Sequence, residues 1–285
     1  MRQQEKMTWK NHTLHFSEKT YVMGILNVTP DSFSDGGKFS DHSMVASRAQ
    51  QMVLEGADLI DMGAESTRPG STPIGEQEEL SRLIPALREV RGAVDVPISI
   101  DTYKASVAEE AVANGADIIN DVWGTKADPR MAQTAAAAEV PIVIMHNRKE
   151  AQYLDLIEDM KADLYESIER CLRAGVREDL IFVDPGVGFA KTYEENLLVM
   201  RNLREFTDMG YPVLLGTSRK SLIAKTLDLP VDDRVEGTGA TVCRGIDEGC
   251  AVVRVHDVLE MSRMTKMMDA MLGKGSSITG GVKHG

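Results

Sequence analysis

A chain of 285 residues that is 42% hydrophobic can bury a full core, and its formal charge of −12 argues against nucleic acid or an anionic membrane as partner, since neither attracts an acidic surface. The opening residues Met1–Lys6 hold no apolar signal core, and no run approaches the ~20 apolar residues of a membrane span, which points to a cytoplasmic protein. Cys171, Cys243 and Cys250 lie in helical stretches without Cys-x-x-Cys spacing, as expected of small buried thiols rather than a disulfide set or zinc site.

In chain order, residues 1–20 form an extension in which Thr8–Thr20 reads as a polar hairpin, turning at Asn11-His12 and placed to cover the bottom of the domain after it. Eight short apolar runs come next: Tyr21–Asn27, Asp58–Gly63, Val96–Asp101, Asp117–Asp121, Pro141–His146, Leu180–Asp184, Tyr211–Thr217 and Ala251–His256. They are rich in Ile, Val and Leu and hardly alternate, the pattern of parallel strands buried on both faces. Segments with helical spacing separate them, as in Met44, Ala46, Ala49, Met52 and Val53 before the stop at Gly56. Met264, Met267, Met268 and Met271 form a similar packed face near the end. Strand then helix, repeated eight times, predicts a (β/α)8 TIM barrel over residues 21–273, matching the ~250 residues that such a barrel needs. The rival, an open doubly wound sheet, would want fewer strands and a glycine-rich turn after the first one, and Asn27–Pro30 is not that turn. Residues 274–285 are polar and Gly/Ser-rich and read as a flexible tail.

Barrel enzymes carry their reacting groups at the carboxyl ends of the strands and in the loops beyond them. Asn27, Asp61, Asp101, Asn120, His146, Asp184, Lys220, Arg254 and His256 all fall at or close to such ends. A single strand-end Asp is often only a helix cap, but so many desolvated polar groups on one face require partners. The carboxylate and amide edges of Asp101, Asn120 and Asp184 suit a flat, nitrogen-rich heterocycle. Met145 and Phe189 could line its faces, or serve equally as ordinary core. Arg254 and His256, spaced i, i+2, point to one side of a strand and with Lys220 make an anion site. Gly216–Ser221 is not a Walker loop, because the second glycine before Lys220 is missing. The loops Asn27–Gly37 and Gly63–Ser71 lie on the same rim, where they could close over a reactive intermediate and exclude water.

The string Gly24–Gly37 (GILNVTPDSFSDGG) closely resembles the first signature of the dihydropteroate synthases, the folate-pathway enzymes targeted by sulfonamides, and Gly56–Pro69 (GADLIDMGAESTRP) resembles the second. Further matches are Asp101-Thr102, Asn120-Asp121, Asp184–Phe189, Ser218–Ser221 and Arg254–His256, so that the resemblance spans Tyr21–His256. It implies a C–N bond-forming transferase: 6-hydroxymethyl-7,8-dihydropterin diphosphate plus p-aminobenzoate gives 7,8-dihydropteroate and pyrophosphate, with Mg2+. By analogy with the family, Asp101, Asn120, Asp184 and Lys220 would hold the pterin. Asn27, Arg254 and His256 would hold the diphosphate, with Mg2+ bridging Asn27 and phosphate oxygens. Thr67, Arg68, Lys220 and Ser221 would shape the p-aminobenzoate site, and Asp35 would arrive with the first loop.

Such chemistry needs no Ser/His/Asp or Cys/His constellation. Pyrophosphate leaves readily once its charge is neutralised, a pterin cation is stabilised by resonance and by a carboxylate such as Asp35, and the aromatic amine is already nucleophilic once aimed. A methyltetrahydrofolate-dependent corrinoid methyltransferase would share the carboxylate and amide floor without needing Asn27, Arg254 and His256. A merely binding barrel would have little use for two loops of this kind. The resemblance further implies a homodimer, for which the apolar faces around 234–248 and 258–271 are available.

Overall fold

The computed structural model describes residues 4–28, 41–65 and 72–275. An antiparallel pair, β1 (Lys6–Trp9) and β2 (His12–His15), precedes the parallel strands β3 (Tyr21–Asn27), β4 (Leu59–Gly63), β5 (Ile98–Asp101), β6 (Ile118–Asp121), β7 (Ile142–Met145), β8 (Ile181–Asp184), β9 (Leu214–Leu215) and β10 (Val252–Val255). The eight run in the order β8-β7-β6-β5-β4-β3-β10-β9, and a bridge between Val183 and Val213 brings the two edges together. This is the (β/α)8 barrel that the alternation of runs predicts.

Most strands begin a residue or two later than their apolar runs, for a physical reason. The carboxylates of Asp58 and Asp117 accept from the backbone N–H of Val22 and Ile98 at 3.0 Å each, so these side chains take the place of a neighbouring strand's carbonyl at the lower end of the sheet. Pro97 and Pro141 have no N–H to give, yet their carbonyls accept from Ile60 and Ile119 at 3.1 and 3.0 Å. The seventh strand is shorter than the predicted Tyr211–Thr217. Pro212 offers only its carbonyl, to Val183 at 3.1 Å, and the chain leaves the sheet after Leu215, so two residues make the regular pairing.

The helices are α1 (Asp41–Glu55), α2 (Glu76–Ala93), α3 (Ala105–Ala113), α4 (Met131–Ala138), α5 (Leu156–Arg173), α6 (Tyr193–Arg201), α7 (Leu203–Thr207), α8 (Ser221–Leu227), α9 (Val235–Asp247) and α10 (Val258–Met271). They exceed the eight expected because two connections are broken, at Asn202 and at Asp228–Arg234, where Pro230 ends any helical continuation. The outer strand faces pack on these helices, Ile60 and Ile100 against Val45, Leu83 and Val107, and Ile144 and Val183 against Met160, Ile168 and Phe206. Gly56 closes α1 at φ 109° where an added Cβ would stand 2.2 Å from Ser262 Oγ of α10. Among the described residues no helix is long and apolar enough to cross a membrane.

The hairpin is two-faced rather than polar throughout, and it starts at Lys6. Trp9 pairs with His12, which leaves Lys10-Asn11 as the turn instead of Asn11-His12, with Lys10 at φ 43°. Met7, Trp9, Leu14 and Phe16 are buried against Leu59, Ile118, Val143, Phe182 and Val252, closing the amino-terminal end of the barrel. A clasp joins this end to the last helix: Asp269 accepts from the Thr20 N–H and hydroxyl, both at 2.8 Å. Lys274 donates to the Thr20 hydroxyl at 2.8 Å, so the region read as tail is tied down at its first residue. Truncating the buried Trp9 to Ala is expected to lower the unfolding free energy by about 3–5 kcal/mol. A urea titration showing less than about 1 kcal/mol of change would mean that the hairpin is dispensable as a plug.

Candidate active site

At the carboxyl ends of the strands the side chains turn polar, and pairing brings them side by side. Asp101 of β5 is in register with Asn120 of β6, and Met145 of β7 with Asp184 of β8. Arg254 of β10 reaches across the barrel. Its Nε donates to Asp61 Oδ2 at 2.6 Å and its Nη2 to Asp101 Oδ2 at 2.7 Å. Asn120 Nδ2 donates to the Asp61 carboxylate at 3.3 and 3.4 Å. Asp61, Asp101 and Asn120 are all buried.

Two carboxylates share one guanidinium here, so a negative charge remains in a place with little water. Burial raises the Asp101 carboxyl to about 7; Arg254 opposes the shift and Asp61 adds to it. Burial disfavours the charge of Arg254 too, but Asp61 and Asp101 outweigh it and hold the guanidinium above its ordinary value. The Oδ1 of Asp101 is buried without a hydrogen-bond partner. A buried polar atom with no partner costs free energy unless something else completes it.

The loop after β8 forms the facing wall. Gly186 N donates to Asp184 Oδ1 at 2.7 Å. Gly186 sits at φ 64°, and a Cβ there would fall 2.0 Å from the His146 carbonyl, so only glycine lets this turn lie on the end of β7. Lys220, from the turn that follows β9, donates from Nζ to the Val187 carbonyl and stands 4.7 Å above the Phe189 ring. A Cβ added to Gly216 would lie 3.8 Å from Asp184 Oδ2, 3.9 Å from Lys220 Nζ and 4.0 Å from Arg254 Cβ, which puts the three residues around one point. Burial lowers Lys220 to about 8 against the pull of Asp184, and raises the Asp184 carboxyl against the pull of Lys220.

The turn that delivers Lys220 is itself pinned. Arg219, at φ 58°, donates through Nε to Asp257 Oδ2 at 3.0 Å, and its N–H donates to Thr238 Oγ1 at 3.1 Å. His256 N–H donates to Ser218 Oγ at 3.1 Å, and His256 Nδ1 lies 2.9 Å from the same oxygen. Asn27 ends β3 exposed, with no hydrogen bond from its side chain to another described residue. Ser221 is exposed at the start of α8, and Met145 is buried beneath the site. Asp35, Thr67 and Arg68 lie outside the described residues.

Not every strand-end candidate faces the mouth. Asp121, next to Asn120, accepts from the N–H groups of Trp123 and Thr125 at 2.9 and 2.6 Å and so shapes its own loop. His146 pairs with Asp163 of α5 at 3.1 Å. Asp61, one of the strand-end candidates, joins the floor through Arg254 and Asn120, whereas the place of Ser218 is revealed by its contact with His256. Lys191, whose ammonium meets His146 and two loop carbonyls, carries no sequence signal beyond its place at the end of the Gly186–Lys191 segment.

The donor set also bears on a metal. No group of three or more His, Cys, Asp and Glu among the described residues could chelate one. Mg2+ commonly keeps waters and takes one or two protein oxygens plus substrate phosphates, so an exposed amide oxygen at Asn27 fits an ion held mainly by a diphosphate.

A buried acid and amide floor with cations at its rim, at the top of a TIM barrel, defines a site for a nitrogen heterocycle bearing an anion. A family model described as "Pterin binding enzyme" matches residues 23–256, and the chain belongs to that family. It falls within the dihydropteroate synthases: it is 58% identical to the dihydropteroate synthase of Bacillus subtilis (strain 168), over 97% of this chain and 95% of that protein. A solved dihydropteroate synthase from Clostridium difficile in the presence of pteroic acid superposes with a TM-score of 0.87 at 48% identity, covering 90% of this chain and 97% of that one. That of Yersinia pestis with a sulfonamide drug gives 0.88 at 37% identity, over 94% and 99% of the two chains.

The shared guanidinium predicts a pH signature. Because Asp101 is raised to about 7, the folded protein keeps a proton that the unfolded chain releases near pH ~4, so this group's contribution to stability falls as pH rises through that window. In Arg254→Gln both carboxylates lose their cation, at a cost of about 3–5 kcal/mol near neutral pH. Thermal melts of variant and wild type are expected to differ widely near pH 7.5 and to converge near pH 5. A gap independent of pH would overturn this account.

Proposed function

We propose that the chain condenses 6-hydroxymethyl-7,8-dihydropterin diphosphate with p-aminobenzoate, releasing pyrophosphate and forming 7,8-dihydropteroate. The observation that carries the proposal is the unpartnered Asp101 Oδ1 in a floor shared with Asn120 and Asp184. A pterin ring presents N–H and amino donors beside a carbonyl acceptor, and this floor offers carboxylate and amide oxygens to the donors and the Lys220 ammonium to the acceptor. Phe189 supports the ring face beneath Lys220. The pteroic acid and sulfonamide of the two related structures fit the same assignment, since pteroic acid joins a pterin to p-aminobenzoate and a sulfonamide mimics the latter.

The diphosphate is assigned to Asn27, His256 and the rim-facing side of Arg254, whose other nitrogens are held by Asp61 and Asp101. Asn27 would help to hold Mg2+, which would supply further neutralisation of the leaving group. Arg254 is pre-oriented by its two carboxylates, so it meets the developing negative charge without reorganising. Departure of pyrophosphate leaves a pterin cation at the exocyclic methylene, which the carboxylates nearby stabilise, and the amine then forms the C–N bond and gives up one proton, to the released pyrophosphate or water. The roles that the resemblance gives to Asp35, as a carboxylate stabilising the cation, and to Thr67, Arg68 and Ser221, with Lys220, at the p-aminobenzoate site belong to the same proposal. A homodimer belongs to it as well, supported by Met267, Met271 and Leu272 exposed along the last helix and just beyond it. So does a cytoplasmic location, supported by three cysteines that are all unpaired.

Purified protein given the pterin diphosphate, p-aminobenzoate and Mg2+ is expected to release pyrophosphate in an amine-dependent manner; no amine-dependent product would eliminate the proposal. Lys220→Ala and Asp184→Asn should remain folded by circular dichroism and lose at least about 100-fold in turnover. Because burial holds Lys220 at about 8, the wild-type rate is expected to fall as pH rises through that value, and Lys220→Arg should move the fall to higher pH. Sulfonamides should compete with p-aminobenzoate and bind better with pyrophosphate and pterin present; tight binding to the empty protein would contradict that order.

A further inference from the structure

The turn after β8 is held by a second lysine that the proposed chemistry does not use. Lys191 Nζ lies 3.0 Å from each of three acceptors: the carbonyls of Gly186 and Phe189 and the Nδ1 of His146. An ammonium has three N–H donors and no acceptor, so every donor is matched. The imidazole is buried, and burial lowers it to about 4, which makes it neutral in ordinary buffers. Its Nε2 faces the carboxylate of Asp163 at 3.1 Å, an atom that can only accept. The proton therefore sits on Nε2, and Nδ1 is left as the acceptor that Lys191 requires.

Asp163 is anchored in turn by Arg148, which donates through Nε at 2.6 Å and Nη2 at 3.1 Å, and burial of the Asp163 carboxyl is outweighed by His146 and Arg148. The chain of contacts thus runs from α5 through a fixed tautomer to the loop backbone. Between Gly186 and Ala190 this loop passes through three positive-φ residues, Gly186 at 64°, Gly188 at 90° and Ala190 at 47°. Such a path turns its carbonyls away from any strand partner, and two ammonium groups receive them: Lys220 takes Val187, and Lys191 takes Gly186 and Phe189.

We propose that Lys191 is a positioning residue for the pterin, which sets the Gly186–Ala190 turn so that Asp184, Phe189 and the Lys220 ammonium face the ring together, with His146 and Asp163 fixing its direction. The inference rests on assigning that wall to the pterin. Burial works against the Lys191 charge and lowers it to about 7, with Asp184 the chief opposing influence.

The test uses Lys191→Met, which keeps the unbranched apolar stem to within one atom and removes the donors. KM for the pterin diphosphate is expected to rise at least about tenfold, the scale of one charge-assisted hydrogen bond. KM for p-aminobenzoate at saturating pterin should stay within about twofold, even where the unmatched acceptors lower the melting temperature by about 2–4 °C. In Lys191→Ala, added methylammonium should restore part of the loss, and it should do nothing for Lys191→Met. An unchanged pterin KM would overturn the proposal, and so would equal rises in both constants with a lowered melting temperature and no rescue. Should Lys191→Met fail to fold, Asp163→Asn frees the imidazole tautomer and is expected to raise the same constant about threefold, the low end of a neutral hydrogen bond. No rise there would also overturn it. Asp184→Asn separates the two levels: normal kinetics in that variant sink the pterin assignment itself, whereas lost turnover there with normal Lys191→Met kinetics sinks the positioning role alone.

Discussion

A guanidinium held between two buried carboxylates is the constraint around which the upper end of this barrel is organised. Arg254 draws together β10, β4 and β5 through Asp61 and Asp101, and Asn120 of β6 joins through Asp61, so four strand ends are fixed by one charged group. Charges out of water are expensive, and a pair that could be replaced by apolar packing is weak evidence for stability. What the arrangement provides is direction. The two carboxylates set the plane of the guanidinium, and the guanidinium opposes the burial that raises Asp101. One carboxylate oxygen remains unmatched, and under the proposed function that demand is met by a ring rich in N–H groups.

The opposite wall solves a different problem. A loop threaded through glycines and one alanine at positive φ gives up the regular pairing that satisfies carbonyls in a strand, and lysine ammonium groups take over that task. The overall charge of −12 makes such local cations more conspicuous, because Lys191, Lys220, Arg219 and Arg254 gather at one end of an otherwise acidic molecule.

Much of this arrangement is legible in the order of residues alone. Strands buried on both faces appear as short aliphatic runs, and the residues that end those runs are necessarily at the mouth, which is why Asp101, Asn120, Asp184 and Arg254 can be placed together. The limits are just as physical. Tyr211–Thr217 has the composition of a strand, but pairing depends on which N–H groups exist and face a neighbour, and Pro212 has none. Asp121 and His146 stand at strand ends like the others, yet they point to loop backbone and to α5, a distinction that rests on single-residue register. The contacts of Lys191 and Ser218 depend on the path of a turn, which apolar periodicity does not encode. The hairpin turn falls one residue earlier than its polar pair Asn11-His12 suggests, because Met7, Trp9, Leu14 and Phe16 decide which residues face the barrel.

Far from the mouth, the clasp between Thr20 and Asp269 links positions 249 residues apart, next to the pairing of the first barrel strand with the last. A ring sealed by its two extremes cannot close while its final helix is still missing. During synthesis the early strands must therefore wait with open edges until nearly the whole polypeptide has emerged, which places this protein among chains that need help, or speed, to avoid sticking to one another.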